Sequence, residues 1–70
     1  MNGLELVING EKIQVSTAES TITGLLQHFE LLHKVVIVEL NDEIVAKENQ
    51  SETLLSNGDK VEIVHFVGGG

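Results

Sequence analysis

Seventy residues carry eleven acidic and four basic side chains, a net charge of −7, which argues against nucleic acid and anionic membranes as partners, since both demand Lys and Arg. The chain has no cysteine, so a disulfide framework, a zinc–thiolate site and a thiol nucleophile are excluded. A chain of this size buries only about 60% of its unfolded surface, and with Phe29 and Phe66 the only aromatics its core must be Leu, Ile and Val.

The opening stretch "MNGLELVING" has no basic n-region and no long apolar run, so neither a signal peptide nor a membrane span is expected, and the expected location is cytoplasmic. Leu4, Leu6 and Ile8 alternate with Glu5, Val7 and Asn9, the period of a half-buried strand. Asn9-Gly10 is a favoured two-residue hairpin turn because both residues accept positive φ. The chain then returns through Ile13 and Val15, with Lys12 and Gln14 on the opposite face.

The period changes at Ile22, Leu25, Leu26 and Phe29, whose spacing is one stripe of a helix. Ser20 or Thr21 is placed to cap it, and Glu19 lies near the positive end of its dipole. Gly24 interrupts the stripe at roughly 1 kcal/mol relative to Ala, either as padding or to let the backbone approach a sheet closely. The run "KVVIVEL" (34–40) is rich in β-branched residues and predicts a central strand buried on both faces. "NDE" turns the chain into a short edge strand, Ile44 to Ala46. Leu54 and Leu55, after the polar "KENQSET", are expected to tuck under the sheet. "SNGD" is a second turn signal, leading into a last strand from Val61 to Val67.

The order β-β-α-β-β-β with one helix predicts an α+β fold: a β-grasp, in which a mixed sheet of four to five strands packs on one main helix. The crossover through the helix is expected to set the third main strand parallel to the first. Residues 1–67 form the predicted domain and 68–70 a flexible glycine tail.

Alternation along strands assigns two faces. Val61 and Ile63 point toward the helix, as do Val36, Val38 and Leu40. Val35, Ile37, Val64 and Phe66 then share an outer face with Glu39 and Glu62, and one helix cannot cover it. An apolar face of that kind marks a partner surface in preference to scattered aliphatics or a homodimer contact. The acidic balance favours partners with basic docking surfaces. His65 reads as a packing residue and not a catalyst, since no Asp, Glu or Ser near it in sequence completes a triad. His28 and His33 suit the negative end of the helix, and the three histidines fit no metal-ligand spacing. No catalytic or metal site of the chain's own is expected, and the protein is not expected to be an enzyme.

The chain closes on "VGGG". Three extended residues reach about 10 Å, and the five from Phe66 to Gly70 about 17 Å. Without Cβ atoms such an arm can thread a narrow channel, leaving the Gly70 carboxylate as the reactive group on offer. A carboxylate is a poor acyl donor. Attack on the α-phosphate of ATP turns it into a mixed anhydride that a sulfur or amine nucleophile can open, and bulk beside the acyl carbon would hinder both steps.

The segments "VIVELNDEIVAKE" and "LLSNGDKVEIVHFVGGG" resemble the ubiquitin-like sulfur carrier family, and within it the ThiS branch of thiamin biosynthesis. The likeness covers the whole chain and is most specific from the Gly58-Asp59 turn through the glycines. Where relatives commonly carry a proline-arginine pair, this chain has Ala46-Lys47. The resemblance implies that a ThiF-type adenylyltransferase uses ATP and magnesium to adenylate Gly70, the chain itself holding no cofactor. A persulfide from a cysteine desulfurase relay then yields a Gly70 thiocarboxylate, and the thiazole synthase ThiG takes the sulfur. Gly68 and Gly69 supply reach, and Val35, Ile37, Val64, Phe66 and Val67 form the implied partner-binding set. Two alternatives share this logic: a MoaD-like carrier for molybdopterin synthesis, and a ubiquitin-like modifier that forms isopeptide bonds with lysines. Ubiquitin-type modifiers carry Arg before Gly-Gly, whereas this chain has Val67-Gly68.

Overall fold

A computed structural model of the protein describes residues 3–66, Glu19 by its backbone. Asn9 and Gly10 sit at φ 51° and 86°, the left-handed pair that a tight hairpin needs. They join β1 (Gly3–Ile8) to β2 (Glu11–Ser16) in antiparallel register from Gly3↔Ser16 to Ile8↔Glu11. Leu6, Ile8 and Val15 are buried, while Glu5, Lys12 and Gln14 stay exposed on the other side.

Helix α1 (Ile22–His28) starts where Thr21 caps it, the side-chain oxygen accepting from the Gly24 N–H at 3.0 Å. The remaining orphan donors of a helix start need partners, and a distant segment supplies them. Ile22 N–H donates to Thr53 O and Thr23 N–H to Gln50 O, each at 3.2 Å. Ile22, Leu25 and Leu26 form the buried stripe. At the other end Glu30 takes φ 61°, with Glu30 N–H on Gln27 O at 3.0 Å and Leu31 N–H on Leu26 O at 2.7 Å. That is the bond pattern of a Schellman stop, with Glu in the position where Gly is usual.

The sheet continues with β3 (Val36–Leu40), β4 (Glu43–Ile44) and β5 (Lys60–His65), in the spatial order β2-β1-β5-β3-β4. Two short 3₁₀ turns, Thr17–Glu19 and Lys47–Asn49, complete the element order. The expected α+β β-grasp is therefore present, with five strands around one main helix among the described residues.

Three details differ from the sequence reading. The central strand is β5, between β1 and β3, with Val61 fully buried and Ile63 nearly so. β3 has only the two-residue β4 beyond it, and Ile37 on its outer face is 41% exposed. A run of β-branched residues reads the same whether its second face is covered by protein or left for solvent. The parallel partner of β1 is β5 (Val7↔Lys60, Ile8↔Val61), while β3 runs antiparallel to β5 and hence to β1. The crossover rule applies to the strand that feeds the helix, and that strand is β2, which β3 does parallel.

Third, Leu55 is buried but Leu54 is 69% exposed. The bridge Thr21↔Leu54 and the Leu55 N–H bond to Ser20 O at 2.6 Å hold this stretch extended, and adjacent residues of extended chain point to opposite sides. Only one of the two leucines can enter the core.

The end of the sheet opposite Phe66 is tied by the second turn. Gly58 takes φ 86° and its N–H donates to Glu5 O at 2.7 Å; Glu5 N–H in turn donates to Asn57 Oδ1 at 2.7 Å. Asn41 joins the same corner, its amide donating to Asp59 Oδ1 at 3.1 Å and its oxygen accepting from Lys60 N–H at 2.9 Å. These bonds fix the start of β5 to both neighbours.

Candidate functional site

The last described strand is held on its β1 side as far as Ile63 and on its β3 side to its final residue. Toward β1 the backbone ladder stops at Ile8↔Val61, and Asn9 N–H donates to Val61 O at 2.9 Å. The Asn9 side chain then extends it to Ile63: Oδ1 accepts from Ile63 N–H at 2.8 Å, and Nδ2 donates to Ile63 O at 3.2 Å. Toward β3 the pairing runs through Ile37↔Val64 and Val36↔His65, and Phe66 N–H donates to Val35 O at 3.2 Å. Phe66 is thus a fixed root for whatever follows. Val67, Gly68, Gly69 and Gly70 lie outside the described residues, as does the expected domain end at 67.

Four of the five residues named as a partner face meet at this root. Val35 (70%), Ile37 (41%), Val64 (54%) and Phe66 (52%) are all exposed. Ile37 and Val64 are directly opposed across the ladder, with Val35 beside Phe66 in the next row. The helix covers the other side of the sheet, through Val38, Val61 and Ile63.

The sequence reading missed a fifth apolar residue here. Ile44 is 71% exposed and pairs with Glu39, which places it on the same outer face. The signal was Val45, which packs against the core and so turns its neighbour outward, but two residues make too short a strand to show a period.

Below the apolar strip Glu39 and Glu62 are directly opposed. Like charges in that relation destabilise a sheet. Lys60 bonds Asp42 at 2.8 Å, and its ammonium is held above the ordinary lysine pKa, first by the hydrogen bond it donates to Asp42 and then by that carboxylate's charge, with Glu62 and Glu39 adding and burial opposing.

Metal binding has no constellation among the described residues. No group of three or more His, Cys, Asp or Glu side chains comes together there as a cation site. His65 is exposed and lines a hollow of about 230 Å³ with Ile8, Ile13, Phe29 and Ile63. His28 packs edge-on to Phe29, ring centres 4.9 Å apart. No helix among the described residues is long and apolar enough to cross a membrane.

The sequence profile of the ThiS family matches residues 2–70, from the first strand through the terminal glycines. The chain belongs to the ThiS family. The "Sulfur carrier protein ThiS" of Bacillus subtilis is 46% identical to it over 93% of this chain and 98% of its own length. A "Thiazole synthase" of Paramagnetospirillum magneticum is 43% identical over 96% of this chain, which spans 20% of that longer protein. Among solved structures, the crystal structure of the thiamine biosynthesis protein ThiS from Geobacter metallireducens superposes with TM-score 0.78 at 38% identity, covering 96% of this chain and all of that one. In this ThiS-family chain the exposed strip lies at the end of the last described strand, and the family profile extends past it through the glycines.

Proposed function

We propose that this chain is a sulfur carrier protein for thiazole formation in thiamin biosynthesis, with Gly70 as the atom-carrying residue. The observation that carries the reading is the family match running through residue 70, onto a strand whose backbone is bonded as far as Phe66. A fixed root and a side-chain-free arm suit delivery of one carboxylate into another protein's active site.

In this reading a ThiF-type enzyme, with its own ATP and magnesium, lets a Gly70 carboxylate oxygen attack the α-phosphorus, and pyrophosphate leaves. The terminal sulfur of a persulfide, charged by a cysteine desulfurase relay, attacks the acyl carbon and AMP leaves. A thiol then cleaves the S–S bond, leaving the Gly70 thiocarboxylate and a disulfide. ThiG is the acceptor of that sulfur. The carrier contributes no acid, base or metal; it contributes reach through Gly68 and Gly69 and a grip through Val35, Ile37, Val64, Phe66 and Val67. A basic side chain of the partner would relieve the Glu39–Glu62 repulsion, which selects for the correct surface. ATP and persulfide chemistry suits a cytoplasmic location.

A thiazole synthase that contains a stretch 43% identical to this chain favours the thiamin branch over a molybdopterin carrier. The test is ATP–pyrophosphate exchange by the ThiF-type enzyme: exchange with the full chain and none after deletion of Gly70 supports the reading. Attachment of the chain to lysines of other proteins would replace it with the modifier reading.

A further inference from the structure

A cavity of about 320 Å³ opens where the end of α1, the start of β3 and the Lys47–Asn49 turn meet, lined by Lys34, Lys47, His33, Gln50 and the apolar Leu26, Leu32, Val35 and Val36. Two of the chain's four basic residues line it and none of its eleven acidic residues does. In a protein of net charge −7 that is a local reversal of sign. Lys60 is engaged by Asp42; Lys34 and Lys47 form no ion pair among the described residues and are exposed. The cavity floor is structured, because Gln50 is 7% exposed, bonds Val45 O through Nε2 at 3.4 Å and holds the Thr23 N–H with its carbonyl.

Its position gives it a use. Val35 belongs both to the cavity wall and to the exposed strip, and its carbonyl accepts from Phe66 N–H. The cavity therefore adjoins the root of the glycine arm, and a protein that draws the arm into its own site must cover this end of the sheet. We infer that the cavity receives an acidic side chain of that protein, a carboxylate seated between the Lys34 and Lys47 ammonium groups with its aliphatic stem against Val35 and Leu32. A lone carboxylate suits two flexible point charges over a half-apolar wall. The pairing adds a charge of opposite sign to the apolar grip and fixes the body's rotation about the arm. This inference rests on the carrier reading and names a specificity element within it.

The test compares binding and adenylation by the ThiF-type enzyme for the unaltered protein, K34Q/K47Q and the charge-retaining K34R/K47R. Removing both charges weakens binding about tenfold at low salt, the deficit shrinks in high salt as the attraction is screened, and K34R/K47R restores affinity. Equal affinity of K34Q/K47Q and the unaltered protein, both adenylated, overturns the inference alone. An unaltered protein that is neither bound nor adenylated overturns the carrier reading beneath it. Titration of the free protein with inorganic phosphate supplies the remaining arm: millimolar phosphate moving the amide resonances of Lys34, Lys47 and Gln50 overturns protein docking in favour of a small anion.

Discussion

Asn9 grips Ile63 at both backbone groups, accepting from its N–H at 2.8 Å and donating to its carbonyl at 3.2 Å. One residue thereby serves the hairpin turn with its backbone and the central strand with its side chain. The grip lies three residues before Phe66, on the side of β5 where the β1 ladder has already ended. Asn9→Gly keeps the left-handed turn conformation and removes the grip, while adding the unfolded-state freedom of glycine. It is expected to cost about 1–3 kcal/mol for the two unpaired groups and to speed hydrogen exchange at the Ile63 amide above that of Val61. Unchanged exchange at Ile63 would show that the side chain does not hold the strand.

Glu30 occupies the left-handed position of the helix stop at φ 61°. A side chain there carries a steric cost of about 1–2 kcal/mol, partly offset by the greater unfolded-state freedom of glycine. Glu30→Gly is therefore expected to stabilise the fold by roughly 0.5–1 kcal/mol, read as a melting temperature raised by about 2–8 °C in a domain of this size. A lower melting temperature would mean that the Glu30 side chain contributes contacts that outweigh its strain.

Lys60 predicts the alkaline behaviour. Its ammonium is held above the ordinary lysine pKa, foremost by Asp42, so the folded state binds that proton more tightly than the unfolded chain. The associated stability is present in full below the unfolded pKa of about 10.4 and is lost as pH rises through the folded value. Asp42→Asn is expected to remove this part of the alkaline decline and to leave the stability difference constant from neutral pH to about pH 9. Melting curves between pH 7 and 12 for the two proteins check it.

Phe66 separates docking from folding. It is 52% exposed, and its backbone rather than its ring makes the bond to Val35. Phe66→Ala is expected to change stability by less than about 1 kcal/mol while weakening association with the ThiF-type enzyme by roughly tenfold, as truncation of a central apolar anchor does. Leu25→Ala, at a fully buried position, is expected to do the reverse, losing about 2–5 kcal/mol of stability. A collapse of the Phe66→Ala melting temperature would mean that the ring packs inside.

The local elements were legible in the residues because their causes are local. Asn9-Gly10 carries its own turn geometry, the spacing of Ile22, Leu25 and Leu26 carries the helix, and alternation in β5 places Val64 and Phe66 opposite Ile63. What was missed depends on pairing between distant segments. The β1–β5 neighbourhood, the outward Leu54 and the solvent face of β3 follow from which strand takes the centre, and no window of sequence holds that information. Glu30 gave no sign because a non-glycine in the left-handed region is a sequence exception. The cavity at Lys34 and Lys47 joins residues from two separate connections, so their shared surroundings appear only once β3 is in place. The chemistry of Gly70 was read from the tail itself and from the resemblance it completes.

The most direct test of the central claim is the mass of the intact chain after incubation with the ThiF-type enzyme, ATP, magnesium, a cysteine desulfurase and cysteine. The account predicts one oxygen-for-sulfur exchange, located on Gly70 by fragmentation and absent when Gly70 is deleted. An unchanged mass under conditions in which the enzyme consumes ATP on an authentic carrier would contradict it.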